Sequence, residues 1–170
     1  MPLQKNTKLH NNDGSKEVDV TLYRQFVGTL IYLTTTRTDL DFPDSVLSQF
    51  MSNPLENHWV AMKGFLSDLE GTLDYGIKYT DSFDVRLTSF LDSDWARNLD
   101  DQRSITGYAF SIGSGVIAWS NKKHNIISLS SAEVEYQAMC AATCETIWLR
   151  ILLLDVGEEQ KSTTVIRCDN

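Results

Sequence analysis

Between residue 131 and about residue 156 the sequence carries one long helical pattern, with Val134, Ala138, Ala141, Ala142, Trp148, Leu149 and Leu152 at helical spacing and Gly157 as terminator. Short strand patterns flank it. Upstream, residues 75–79, 86–91, 106–112 and 116–120 read as strands, with Gly113-Ser114-Gly115 as the hairpin connection between the last two and a further extended run at 125–129. Downstream, residues 163–167 form the last strand. A long helix between strands is a crossover, so the first and last strands are expected to be parallel, joined with right-handed sense, in a mixed sheet. Sites in such sheets gather at strand carboxyl ends.

The amino-terminal part has a different period. Residues 1–20 are polar and aperiodic and read as a surface lead-in. Tyr23, Phe26, Val27, Leu30, Ile31 and Leu33 predict a helix over 21–36, and a shorter one is expected over 43–51 with Pro43 in its first turn. A third helix is expected after Asn53 as N-cap, with Pro54, Glu56 three residues after the cap, a Trp59, Met62, Phe65, Leu66 and Leu69 stripe, and Gly71 past its end. The expected organisation is therefore a lead-in (1–20), a small all-helical layer (21–73) and an α/β domain (74–170).

Composition narrows the function classes. A net charge of −8 over 170 residues opposes a stand-alone nucleic-acid binder, which ordinarily needs a basic face. No apolar run is expected to span a bilayer, since Arg150 and Asp155 interrupt 147–156, and the first twenty residues are not signal-like. No membrane partner is expected, and the setting is read as intracellular, cytoplasmic or nuclear and not secreted. Cys140, Cys144 and Cys168 lack metal-ligand pairing; Cys140 and Cys144 share a helix face and are expected to be buried. Ser128, Ser130 and Ser131 form no nucleophile elbow, which disfavours a serine hydrolase.

Three acids stand where chemistry is expected. Asp92 closes a strand, Glu135 lies in the first turns of the long helix, and Asp169 follows the last strand in Cys168-Asp169-Asn170. Ser130 is the expected N-cap of the long helix, and Glu133 completes a capping box with it, which leaves Glu135, roughly 200° further round, as the ligand candidate. Asp92 and Asp94 share a strand face; Asp92 is the better-held ligand, and Asp94 sits at the rim. Three carboxylates within about 4 Å repel by several kcal/mol per pair at an effective dielectric near 20, so the cluster demands a cation. An all-oxygen site points to Mg²⁺ or Mn²⁺, in a two-ion arrangement suited to phosphodiester hydrolysis. The alternative is that these are ordinary turn and cap acids. Arg103, Lys122 and Lys123 are candidate phosphate contacts, or solvated surface charges.

Asp92-Ser93-Asp94-Trp95-Ala96, Arg103-Ser104, Thr106-Gly107-Tyr108, Trp119-Ser120 with Lys122-Lys123, Ser130-Ser131 through Glu133, Glu135 and Tyr136, Trp148-Leu149-Arg150 and Cys168-Asp169-Asn170 resemble, in order, the ribonuclease H region of copia-type retrotransposon Pol polyproteins. Tyr23-Arg24, Val27-Gly28, Tyr32-Leu33-Thr34, Thr36-Arg37, His58-Trp59 and Gly71-Thr72-Leu73 resemble the helical segment that follows the reverse transcriptase. The resemblance implies a ribonuclease-H-like fold that cleaves RNA in an RNA–DNA hybrid with two divalent metals, Asp92, Glu135 and Asp169 being catalytic, metal-binding carboxylates. It also implies a reverse transcriptase region upstream in the parent polyprotein. The family continues past Cys-Asp-Asn to a fourth acid, so against that pattern the domain is expected to be C-terminally incomplete. Gly64, Ser67 and Glu70 stand where basic residues are usual, and Thr38 where proline is. These departures imply weak or absent cleavage, or a non-catalytic interaction or scaffold role.

Overall fold

Asp19 ends the lead-in and starts the first helix, its Oδ1 accepting from Thr21 N at 2.8 Å and Leu22 N at 3.0 Å. That helix, α1, runs Val20–Thr34 in the computed structural model, which describes residues 9–81, 85–94 and 102–168. The chain divides into two units, Met1–Ile77 and Lys78–Asn170. In the first, α1 is followed by a short 3₁₀ turn (Thr38–Leu40), α2 (Asp41–Ser48) and α3 (Glu56–Glu70). Tyr23, Val27, Leu30, Leu40, Leu47, Phe50, Met62 and Phe65 form its core. The apolar spacing in α1 and α3 put those side chains on inward faces.

The start of α3 departs from the sequence expectation. Its N-cap is Leu55 rather than Asn53, and Leu55 has no side-chain acceptor to offer. The fully buried His58 supplies the bond instead: its Nδ1 accepts from Leu55 N at 3.0 Å, and its Nε2 donates to His10 O at 3.0 Å. Part of the lead-in is thereby tied down, with Val18 N donating to Pro54 O and Glu56 N to Lys16 O.

The second unit is a four-stranded sheet of order β3-β2-β1-β4, built from β1 (Leu87–Asp94), β2 (Ile105–Ile112), β3 (Gly115–Lys123) and β4 (Val165–Cys168). β1 is antiparallel to β2 and parallel to β4, and α4 (Ser131–Asp155) makes the crossover. Helices with a mixed sheet and one long packed helix are an α/β arrangement consistent with a ribonuclease-H-like fold. Leu87, Leu91 and Phe110 pack with Ala138, Ala142, Leu149 and Leu153 to form the core.

Three local expectations are corrected. Residues 75–79 and 125–129 are not strands; Tyr79 instead lies against the β2–β3 connection, its hydroxyl donating to Val116 O at 2.6 Å. Cys140 and Cys144 are exposed, because the buried stripe of α4 runs through Val134, Ala138, Ala142, Thr146, Leu149 and Leu153. α4 is also long and apolar enough by composition to cross a membrane, contrary to the reading of its charges. Its inner stripe packs on the sheet, as in the core helix of a folded domain.

Candidate functional site

Strand alternation decides where the acids of β1 point. Leu87, Ser89 and Leu91 are buried on the α4 side, whereas Phe90 and Asp92 are exposed on the other. Asp92 pairs with Gly107 of β2, and Asp94, half-buried on the same side as Asp92, pairs with Ile105. On the other flank Leu91 lies opposite Cys168, so β1 and β4 run out at the same edge of the sheet. Asp169 lies outside the described residues.

Glu135 reaches this edge from the helix. At about 100° per residue it falls roughly 55° from the centre of the stripe of Val134, Ala138, Ala142 and Leu149, while Glu133 lies roughly 145° away. Glu135 is accordingly half-buried on the sheet side. Ser130 caps α4, its Oγ accepting from Glu133 N at 3.2 Å. The Glu133 carboxylate returns to Leu129 N at 2.8 Å, one residue before the cap's own N–H. Ser130 is fully extended (φ −153°, ψ 161°), and the carboxylate closes the turn across it.

A polar chain sets the level of α4 against the sheet. His124 Nδ1 and Gln137 Oε1 are 2.6 Å apart, His124 Nε2 and Thr106 Oγ1 are 3.0 Å apart, and Gln137 Nε2 donates to Glu133 Oε1 at 3.2 Å. Thr106 pairs with Ser93. The second turn of α4 is therefore level with the carboxyl end of β1, between Asp92 and Asp94. Sequence reasoning passed over His124 and Gln137. The signal available was the Glu133–Gln137 spacing of four, which places both on one helix face.

The candidate phosphate contacts sit at the same end. Lys122 is exposed and pairs with Thr106, while Lys123, half-buried, pairs with Ile105; Arg103 is half-buried just before β2. Deeper in the sheet, burial and then Glu145 push the Tyr108 hydroxyl up. Asp92 and Glu135 thus share one edge of the sheet, Asp92 from the face away from α4 and Glu135 from α4 itself. Among the described residues no group of three His, Cys, Asp or Glu side chains is placed to hold a metal ion.

The sequence is similar over 99% of its length to the retrovirus-related Pol polyprotein from transposon RE2 of Arabidopsis thaliana, at 38% identity over 169 residues. It is 36% identical over 149 residues, 87% of the chain, to the Pol polyprotein from transposon TNT 1-94 of Nicotiana tabacum. It spans 12% and 11% of those two proteins. The secreted RxLR effector protein 161 of Plasmopara viticola is 40% identical over 130 residues, which cover 76% of this chain and 92% of that protein. No family model matches, and no solved structure matches.

Proposed function

The chain belongs to the family of retrovirus-related Pol polyproteins from copia-type transposons, and from that premise we propose that it is the ribonuclease H region of such a polyprotein, with weak hydrolysis of RNA in an RNA–DNA hybrid. The observation that carries the reading is the β1–α4–β4 crossover, which brings the strand ends of Asp92 and Cys168 and the helical turn of Glu135 to one edge of the sheet. In this reading Asp92, Glu135 and Asp169 hold Mg²⁺ or Mn²⁺, Asp94 supports them from the rim, and Arg103, Lys122 and Lys123 meet phosphates.

The donor chemistry fits such ions. All three proposed ligands are carboxylates, and hard divalent cations take oxygen. When bound, a pair of these ions activates water and stabilises the leaving oxygen of a phosphodiester. The chain's own residues then have separate tasks. Glu135, half-buried on a capped helix, gives a fixed anionic point; exposed Asp92 gives a looser one. Exposure of Asp92 and the net charge of −8 both favour slow turnover and weak hybrid binding. The setting that follows is intracellular, where such hybrids arise, downstream of a reverse transcriptase region.

A second reading, a non-catalytic interaction or scaffold region, is favoured by the exposure of Asp92 on the face of β1 away from α4, the helix that carries Glu135. One experiment separates the two. Purified chain is incubated with a labelled RNA–DNA hybrid and Mn²⁺, beside Asp92→Asn and Glu135→Gln. Slow, chelator-sensitive cleavage that both substitutions reduce by at least 10²-fold is expected. No cleavage by the unsubstituted chain, or cleavage indifferent to both substitutions, supports the second reading.

A further inference from the structure

We propose that His124 is a positioning residue for Glu135, an inference that rests on the ribonuclease H reading for its consequence but not for its geometry. The imidazole is bonded at both nitrogens, to Gln137 of α4 and to Thr106 of β2. Its backbone N–H is anchored as well, donating to Ser104 O at 2.9 Å. Direction along the chain of bonds is fixed by the carboxylate at its far end. Glu133 can only accept, so the Gln137 amide N–H faces it and the amide oxygen faces the ring. His124 Nδ1 therefore donates to Gln137, and in the neutral ring Nε2 accepts from the Thr106 hydroxyl.

The consequence is mechanical. Gln137 and Glu135 belong to the same turn but leave the helix roughly 160° apart, so Gln137 reaches His124, just past β3, while Glu135 leaves from the other flank of the buried stripe. Holding Gln137 fixes the rotation of that turn. A side chain about 5.5 Å from the helix axis moves about 2 Å for a 20° rotation, whereas a ligand constellation needs placement within about 0.5 Å. Besides the Ser130 cap, which holds the first turn, the inner stripe of α4 at this end is the small pair Val134 and Ala138. The His124 bond supplies the stop that these two side chains do not.

Two isosteric substitutions dissect the role. The asparagine amide nitrogen overlies Nδ1 and can keep the bond to Gln137; the glutamine amide nitrogen overlies Nε2 and keeps only the Thr106 side. His124→Asn, His124→Gln and His124→Ala are compared in the full chain by amide hydrogen exchange over residues 133–138 and by Mn²⁺ binding followed by electron paramagnetic resonance. Exchange at 133–138 is expected to quicken at least tenfold in His124→Gln and His124→Ala but not in His124→Asn. Mn²⁺ affinity is expected to fall by about 10-fold or more in the same two variants, the range found for groups that orient metal ligands. Equal exchange in all four proteins, or equal loss in His124→Asn and His124→Gln, overturns the positioning role. If the unsubstituted chain binds no Mn²⁺, the ribonuclease H reading fails, and the exchange comparison still decides the role of His124 in setting the helix.

Discussion

Two aspartates three residues apart show how far a carboxylate's surroundings, rather than its identity, set its behaviour. Asp44 is 7% exposed, and its Oδ1 has no hydrogen-bond partner among the described residues. Burial, and then the neighbouring Asp41, push its carboxyl up to about 6. Asp41 itself is raised by burial alone. Asp39 is the contrast: the Arg37 guanidinium grips both its oxygens, at 2.8 and 2.6 Å, and holds it below the usual range. For Asp44 the folded pKa lies above the unfolded value, so the folded state binds the extra proton. Its cost to stability is absent below about pH 4, grows as pH rises to about 6, and is then constant. Asp44→Asn is expected to stabilise the chain at pH 7 by about 1–3 kcal/mol and to be nearly neutral at pH 4. Urea midpoints of both proteins across pH 4 to 7 check this; parallel profiles refute it. None of this was visible in the sequence, where Asp41 and Asp44 carry no motif. Their burial comes from the packing of α2 against α1 and α3.

At the scale of elements, the β2–β3 hairpin was the most legible feature. Gly113-Ser114-Gly115 marks it because a tight connection calls for a residue at positive φ, and Gly113 adopts +56°. The second glycine serves a different purpose. A Cβ on Gly115 would overlap the Tyr79 ring, which lies across the hairpin while its hydroxyl bonds Val116 O and Thr80 N bonds Ser114 Oγ at 2.9 Å. Residues 75–79 form no strand: Tyr79 is used on the turn rather than in a ladder, and the Tyr75 ring instead meets the Arg37 guanidinium. Gly115→Ala forces the ring aside and is expected to cost about 1 kcal/mol, the worth of the lost hydrogen bond. In a Tyr79→Ala background the same substitution should cost much less. A double-mutant cycle from denaturant unfolding measures the difference, and strict additivity would mean that the ring does not hold the turn. Strand and helix ends were less legible. β1 runs on to Asp94, and α3 has a leucine as its N-cap, because ladder partners and a buried histidine set those limits.

For the whole molecule, topology carried the functional reading further than any single motif did. The crossover was foreseeable from one long helix between strands, and with it the meeting of β1, β4 and the start of α4 at one edge. The face on which Asp92 lies followed only once Leu91 was seen to pack beneath α4, since alternation fixes which residues share a face but not which face is covered. The same edge carries Lys122, exposed and one pair removed from the level of Asp92, on a chain whose net charge is −8. Overall charge opposes a polyanion, so any hybrid affinity has to come from this local basic group. If Arg103, Lys122 and Lys123 each neutralise one phosphate, the logarithm of affinity should fall with the logarithm of salt at a slope of roughly −2 to −3. Lys122→Gln should flatten that slope by about one unit, while Lys78→Gln, a lysine outside the sheet, should leave it unchanged. Fluorescence anisotropy of a labelled hybrid in Ca²⁺, over several salt concentrations, measures all three slopes. A slope that Lys122→Gln does not alter would remove Lys122 from the hybrid-binding surface and leave Arg103 and Lys123 as the candidate phosphate contacts of this edge.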